Sequence, residues 1–310
     1  SSSWPRKMER IKKIAIIGLG LIGSSIAHAA RRGKLAGEIA GHDASTDVLA
    51  RARILGFCDT LHADIGGAVK DAELLILCAP VGPYKSIAQA IAPHLAPGAI
   101  LSDVGSVKGA VIRDVGPFVP AGVHFIPAHP IAGTEFSGPE AGFASLFDGR
   151  WAILTPVPGS DAAAVEKLKS FWQGLGSQVD VMDAGHHDLV LAITSHLPHL
   201  IAYNIVGTAH DLEQVTEGEV IKYSASGFRD FTRIAASDPT MWRDVFLNNR
   251  DAVLEVLGRF NDDLKTLQKA VEQGDGQLLF DTFTRTRAIR RAIIDIGQDT
   301  AAPNFGRNKS

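Results

Sequence analysis

The sequence predicts an α/β fold: an N-terminal, doubly wound, mostly parallel sheet followed by an all-helical domain. Three observations carry this. Short aliphatic runs alternate with helical patterns through the first half of the 310 residues. A glycine-rich turn, Gly18-Leu19-Gly20-Leu21-Ile22-Gly23, joins the first run to the first helix. After about Asp183 the strand punctuation disappears and long helical patterns take over.

The elements follow in order. Ile14–Ile17 is a strand ending in glycine, and Leu21–Arg32 is the helix after it. Glu38–His42 is a second strand ending at Asp43, and Val48–Leu55 a second helix. Glu73–Cys78 (ELLILC) reads as a central buried strand, with Ala99–Leu101 and His124–Ile126 as its successors. Trp151–Leu154 and Gln178–Val181 are expected to complete the sheet, separated by a helix over Asp161–Trp172. The remainder reads as helices over Asp188–His210, Glu213–Ser224, Thr240–Gln273 and Gln277–Ile296. Two domains result, residues 11–183 and 184–300, with 301–310 as a polar tail and no regulatory domain expected beyond it.

Composition narrows the function. Hydrophobic residues make up 45% and charged residues 21%, which excludes wholesale disorder. With 31 basic against 34 acidic residues the net charge is −3, so no broad cationic face for nucleic acid is expected. Two cysteines, Cys58 and Cys78, provide no disulfide framework and suggest a reducing, cytoplasmic setting. The polar N-terminus is not a secretory signal, and Met8 is a candidate start with residues 1–7 added before it. The apolar stretch Leu189–Gly207 approaches the length of a membrane span. It contains His196, Pro198, His199 and Asn204, so no membrane is expected and a helix buried in the chain's own soluble core is the better reading. Its apolar density exceeds what one helix facing water needs, and burial against a second subunit would explain that.

The glycine turn matches G-x-G-x-x-G in the context that gives the string meaning, between a strand and a helix. Gly18 permits the tight turn, Gly20 lets a pyrophosphate approach, and Gly23 allows close helix packing. Leu21 and Ile22 open the helix whose N-terminus faces the phosphates. Asp43 stands 20 residues after Gly23, where a carboxylate accepts from ribose hydroxyls and repels a 2′-phosphate, so NAD is expected over NADP. A Rossmann-type domain places ligands beyond the carboxyl ends of its strands. Three segments stand there: Cys78-Ala79-Pro80-Val81, Ser102–Lys108 and Pro127–Glu135.

The strings LSDVGSVKG, HPIAGTEFSG and GFRDFTRIAASDPTMWRD resemble the prephenate and arogenate dehydrogenase family of tyrosine biosynthesis, and the likeness runs from Ile14 to about Ile296. The resemblance implies oxidative decarboxylation of a cyclohexadienol with NAD as hydride acceptor, while the very apolar Leu189–Gly207 helix leads to the expectation of a homodimer built from the helical half. It implies that His129 is the catalytic histidine and that Ser106 hydrogen-bonds the substrate hydroxyl and His129, with a helix N-cap as the competing role for Ser106. Thr134 and Glu135 match positions lining the substrate mouth, and Trp242 one near the active site or in the core. Arg233 matches the substrate-binding arginine, while Arg229, four residues earlier, favours a surface role. In SHLPH, His199 is the expected substrate contact and His196 the reserve, with no metal site expected. His186 and His187 read as capping or exposed residues.

Two alternatives stand beside this. One is another NAD-dependent β-hydroxyacid-type dehydrogenase, for which Lys222 is the only candidate catalytic lysine in the helical half. The other is a non-catalytic NAD-binding sensor, which has no need of His129 or Arg233.

Overall fold

The aliphatic runs of the first half become strands whose alternate residues serve opposite faces of a sheet. The computed structural model describes residues 10–80, 82–213, 219–224 and 226–295. In chain order the first elements are β1 (Ile11–Ile17), α1 (Leu21–Arg32), β2 (Ala36–His42), α2 (Thr46–Leu55), β3 (Thr60–His62), α3 (Ile65–Val69) and β4 (Leu74–Leu77). They are followed by α4 (Tyr84–Ile91), β5 (Ile100–Asp103), α5 (Lys108–Val115) and β6 (His124–Phe125). Ile14 and Ile16 of β1 join one hydrophobic cluster with Leu74 and Ile76 of β4. Ala15 and Ile17 join the opposite cluster with Leu75 and Leu77. Burial on both faces is why these strands read as unbroken apolar runs rather than alternating ones.

The six strands pair in parallel in the order β3-β2-β1-β4-β5-β6. The winding direction reverses between β1 and β4, which places the ligand crevice at their carboxyl ends.

Two sequence expectations are corrected here. Trp151–Leu154 and Gln178–Val181 do not extend the large sheet. With β7 (Ala128–Pro130) they form a second, three-stranded sheet in the order β7-β8-β9, where β8 is Trp151–Leu154 and β9 is Gln178–Val181. β7 runs antiparallel to β8, so the chain reverses after β6 instead of making another parallel crossover. The helix between β8 and β9, α6 (Ala162–Gly174), is capped by Asp161, whose carboxylate accepts from Ala164 N at 2.9 Å. Its Trp172 packs edge-on against Phe147 at 5.3 Å between centroids.

The helical half contains α7 (Ala184–Leu191), a π turn at Ala192–His196, α8 (Leu197–Glu213), α9 (Glu219–Tyr223) and α10 (Ser226–Thr232). A 3-10 turn at Arg233–Ala236 leads to α11 (Pro239–Asn248), α12 (Arg250–Gln273) and α13 (Gly276–Asp295). The expected helix over Thr240–Gln273 is thus broken between α11 and α12. Asn249 marks the break, and its side-chain amide donates to Asp188 O at 2.9 Å. Part of the helix expected over Glu213–Ser224, and the tail 301–310, lie outside the described residues.

Contacts divide the chain into two compact units. One contains both sheets, the chain up to Leu191, and Arg243–Asn249. The other is helical, comprising Ala192–Trp242 and the chain from Arg250. Residues Ala184–Leu212 form one helix long and apolar enough to cross a membrane, yet only 22% of its most apolar window is buried. The expectation of a helix buried within its own chain is therefore not met. Ile193, Val206 and Leu212 are exposed on it.

Candidate active site

The nucleotide end of the first unit is shaped by close backbone approaches. Gly18 has φ +102°, and a Cβ there would stand 2.5 Å from Ala79 N at the end of β4. A Cβ on Gly23 would collide with the Gly18 carbonyl at 1.9 Å, so α1 can start against the turn only with glycine at that place. Gly20 has nothing within 4 Å of its Cβ position and is the N-cap of α1, with no side-chain cap. The open space at Gly20 thus adjoins the N-terminus of α1, where Leu21 and Ile22 begin the helix and a phosphate would be received.

Asp43, just past β2, accepts from Leu19 N through Oδ2 and from Ser45 N through Oδ1, each at 2.9 Å. It therefore fixes the glycine turn and keeps further lone pairs on both oxygens. These features fit a dinucleotide. Ala79 is half-buried and Pro80 exposed beside the turn, while Val81 lies outside the described residues.

His129 is the middle residue of β7, opposite Ile153 of β8. The residue before it is clamped. Asp103, at the end of β5, accepts from Ala128 N through Oδ1 at 3.1 Å. Its Oδ2 accepts from Gly105 N at 2.8 Å and from Lys108 Nζ at 2.7 Å. Lys108 Nζ also donates to Ala128 O at 2.5 Å. Both charged side chains are fully buried. Burial pushes the Lys108 ammonium below its ordinary range, and the Asp103 carboxylate opposes that shift. The SDVGSVKG segment and the His129 strand are thus one construction.

His129 Nδ1 lies 2.9 Å from His187 Nε2. This overturns the sequence reading of His187 as a capping or exposed residue. His186 is exposed, but His187 is fully buried and 2.8 Å from Asp188 Oδ1. Ser106 is half-buried two residues ahead of α5, and the N-cap position there falls to Val107, so the capping role does not arise for Ser106. Thr134 and Glu135 are exposed in the loop after β7, where Thr134 Oγ1 accepts from Phe136 N at 3.1 Å.

In the helical unit, His199 and Trp242 stack at 3.6 Å between centroids and 20° between planes. Trp242 is 8% exposed and also meets His196 edge-on at 6.0 Å. His196 is 2% exposed, while His199 is half-buried and donates through Nδ1 to Ser195 O, 2.7 Å away. A carbonyl only accepts, so His199 Nδ1 carries the hydrogen.

Burial lowers the His199 pKa, the Ser195 carbonyl raises it, and the Arg233 charge lowers it further. Arg233 is exposed at the start of its 3-10 turn. Arg229 belongs to α10, which ends at Thr232, so the two arginines do not share one regular helix face. The segment carrying Arg233 is tied to α8 by Tyr203, whose hydroxyl donates to Ser237 O at 2.6 Å. Lys222 lies over the Tyr223 ring at 5.3 Å and is exposed. Among the described residues no group of three or more His, Cys, Asp or Glu side chains could hold a metal ion.

Comparison with known proteins gives a consistent result. Residues 26–181 match the family description "Prephenate dehydrogenase, nucleotide-binding domain", and residues 183–285 match "Prephenate dehydrogenase, dimerization domain". The chain is 43% identical over 286 residues to a cyclohexadienyl dehydrogenase of Zymomonas mobilis, covering 92% of this chain and 97% of that protein. A prephenate dehydrogenase from Aquifex aeolicus, solved with hydroxyphenyl propionate and NAD+, superposes with a TM-score of 0.86 at 32% identity, over 93% of this chain and 100% of that one. An arogenate dehydrogenase from Synechocystis superposes with a TM-score of 0.80 at 26% identity, over 90% and 99%.

Proposed function

From a chain that belongs to the prephenate dehydrogenase family, we infer an NAD-dependent oxidoreductase of tyrosine biosynthesis that oxidatively decarboxylates prephenate, arogenate or both. One observation supports the reading above the others. The first unit holds an open glycine turn at the sheet's switch point and, on β7, an imidazole held through Nδ1.

NAD, when bound, supplies the acceptor for the hydride that leaves the ring carbon bearing the hydroxyl. The chain's own residues do the rest. The α1 N-terminus and Gly20 receive the pyrophosphate, and Asp43 the adenosine ribose. His129 takes the hydroxyl proton at Nε2 as the ring is oxidised. Once the ring carboxylate has departed as carbon dioxide and its bonding pair has made the ring aromatic, His129 returns the proton to the phenolate oxygen. Ser106 hydrogen-bonds the same hydroxyl. Arg233 holds a carboxylate of the substrate as a guanidinium clamp, with His199 and Trp242 beside it and His196 as packing support. Thr134 and Glu135 line the entrance.

The enzyme works as a cytoplasmic homodimer, without membrane or nucleic acid. The exposed apolar residues on α8, α12 and α13 support the dimer. The test is direct: purified protein with NAD and either prephenate or arogenate should form NADH and carbon dioxide together. No NADH with either substrate would overturn the reading.

A further inference from the structure

The histidine assigned above as the base is backed by two residues that no comparison assigns. His187 of α7 meets His129 edge-on, with ring centroids 5.1 Å apart and 74° between planes. Behind it, Asp188 accepts from the backbone N–H groups of Lys108 at 2.8 Å and Gly109 at 2.9 Å, where α5 begins. A Cβ on Gly109 would stand 2.9 Å from Asp188 Oδ2, so glycine there is what admits the carboxylate. Burial pushes the Asp188 carboxyl up, but the donors from His187, Gly109 and Lys108 outweigh it and hold the group below its ordinary range.

An ionised carboxylate only accepts, so the hydrogen between Asp188 and His187 sits on His187 Nδ1. A neutral imidazole has one donor and one acceptor nitrogen, which makes His187 Nε2 the acceptor facing His129. The hydrogen in that contact is then on His129 Nδ1, and the lone pair of His129 is on Nε2. We propose that His187 and Asp188 are positioning residues that hold His129 in the tautomer able to accept the substrate's hydroxyl proton at Nε2. This rests on the reading in which His129 is the base. The proton passes only from the substrate oxygen to His129 Nε2 and back. The Nδ1 hydrogen stays in place, already directed at His187 when the imidazolium forms, with the Asp188 anion one ring further on. Simple fastening of α7 to α5 is the competing role, and it would affect stability without selecting a tautomer.

The experiment uses full-length protein labelled with 15N in its histidines, with His129 assigned by loss of its signals in His129→Asn. Above the acid limb of the activity profile, the wild type should show a proton-bearing Nδ1 and a lone-pair Nε2 for His129; the opposite tautomer would overturn the proposal without any need for a folded His187 variant. His187→Leu should leave a mixture of tautomers and lower kcat by about 10²–10⁴-fold, with KM for substrate and for NAD little changed. His187→Gln, whose amide has one acceptor and one donor end, should recover part of that loss. Wild-type kcat in His187→Leu, or equal losses in both variants with an unaltered His129 spectrum, would refute it. Absence of NADH from the wild type would instead refute the reading beneath it, since the tautomer is measured without turnover.

Discussion

The two units of this chain differ in where they keep their difficult groups. The sheet-bearing unit buries an Asp103–Lys108 ion pair and the His187 ring, each fully enclosed and hydrogen-bonded. Among its described residues the helical unit buries little beyond Ala192, His196, Ala202, Trp242, Val253, Val256 and Ala270, and leaves Phe280, Phe283 and Val271 more than half exposed. An interior that can enclose paired charges is a finished fold, because such pairs persist only where every partner is supplied. A surface carrying large apolar side chains on successive helices is an unfinished one, and residues 183–285 here match a dimerization domain. On the reading proposed above, the base His129 belongs to the first unit and the carboxylate-binding Arg233 to the second.

The sharpest way to break this contrast is through the base. His129→Asn should lower kcat by about 10²–10⁴-fold with a smaller effect on KM, measured by steady-state kinetics in saturating NAD. Next in size, Lys108→Met strands a buried carboxylate and should cost about 3–5 kcal/mol of stability in urea unfolding. Replacing both partners, Asp103→Leu with Lys108→Met, should recover part of that, which would place the cost in the unpaired charge. In the helical unit, Arg233→Ala should chiefly raise KM for the dicarboxylate, by about 30- to 4,000-fold if the ion pair is worth about 2–5 kcal/mol. A change confined to kcat would move Arg233 out of the binding role.

Two smaller effects sharpen the picture. Phe283→Asp places a charge on the exposed face of α13 and should shift sedimentation at micromolar concentration from dimer toward monomer. A stable monomer in the unmodified protein would remove the comparison's second half. Asp43→Ser should narrow the gap in kcat/KM between NAD and NADP. It should also weaken NAD binding, because the same carboxylate holds Leu19 N of the glycine turn.

What the sequence disclosed depended on how local each signal was. The glycine turn, β1 and α1 are contiguous, and each glycine answers to a neighbour within the same few residues or at the next strand's end, so Gly18–Gly23 could be read directly. α1 matched its expected span, Leu21–Arg32, as did β9 at Gln178–Val181. The second sheet was hidden because β7 has only three residues and is defined by its antiparallel partner, Trp151–Leu154, rather than by a pattern of its own. β3, three half-buried residues on the sheet's edge, was missed for the same reason. His187 was misread because two adjacent histidines at a helix start look like polar end residues. The ring it serves is 58 positions earlier, and only a His-Asp pair inside an otherwise apolar helical pattern hinted at it. Thr240–Gln273 read as continuous since nothing in its periodicity marks Asn249, whose conformation is held by a bond to Asp188.

The closure of Asp188 on the start of α5 bears on how such proteins can be recombined. The two family domains adjoin between residues 181 and 183, which looks like a natural seam. Yet His129 lies on one side of it and His187 and Asp188 on the other, and the compact first unit also takes in Arg243–Asn249. A hybrid joined at that seam would pair one parent's imidazole with another parent's His-Asp support and with a foreign Asn249. The segment that must travel together is discontinuous in the gene, so exchange of halves between relatives separates the partners of the His129–His187–Asp188 cluster even where each half folds.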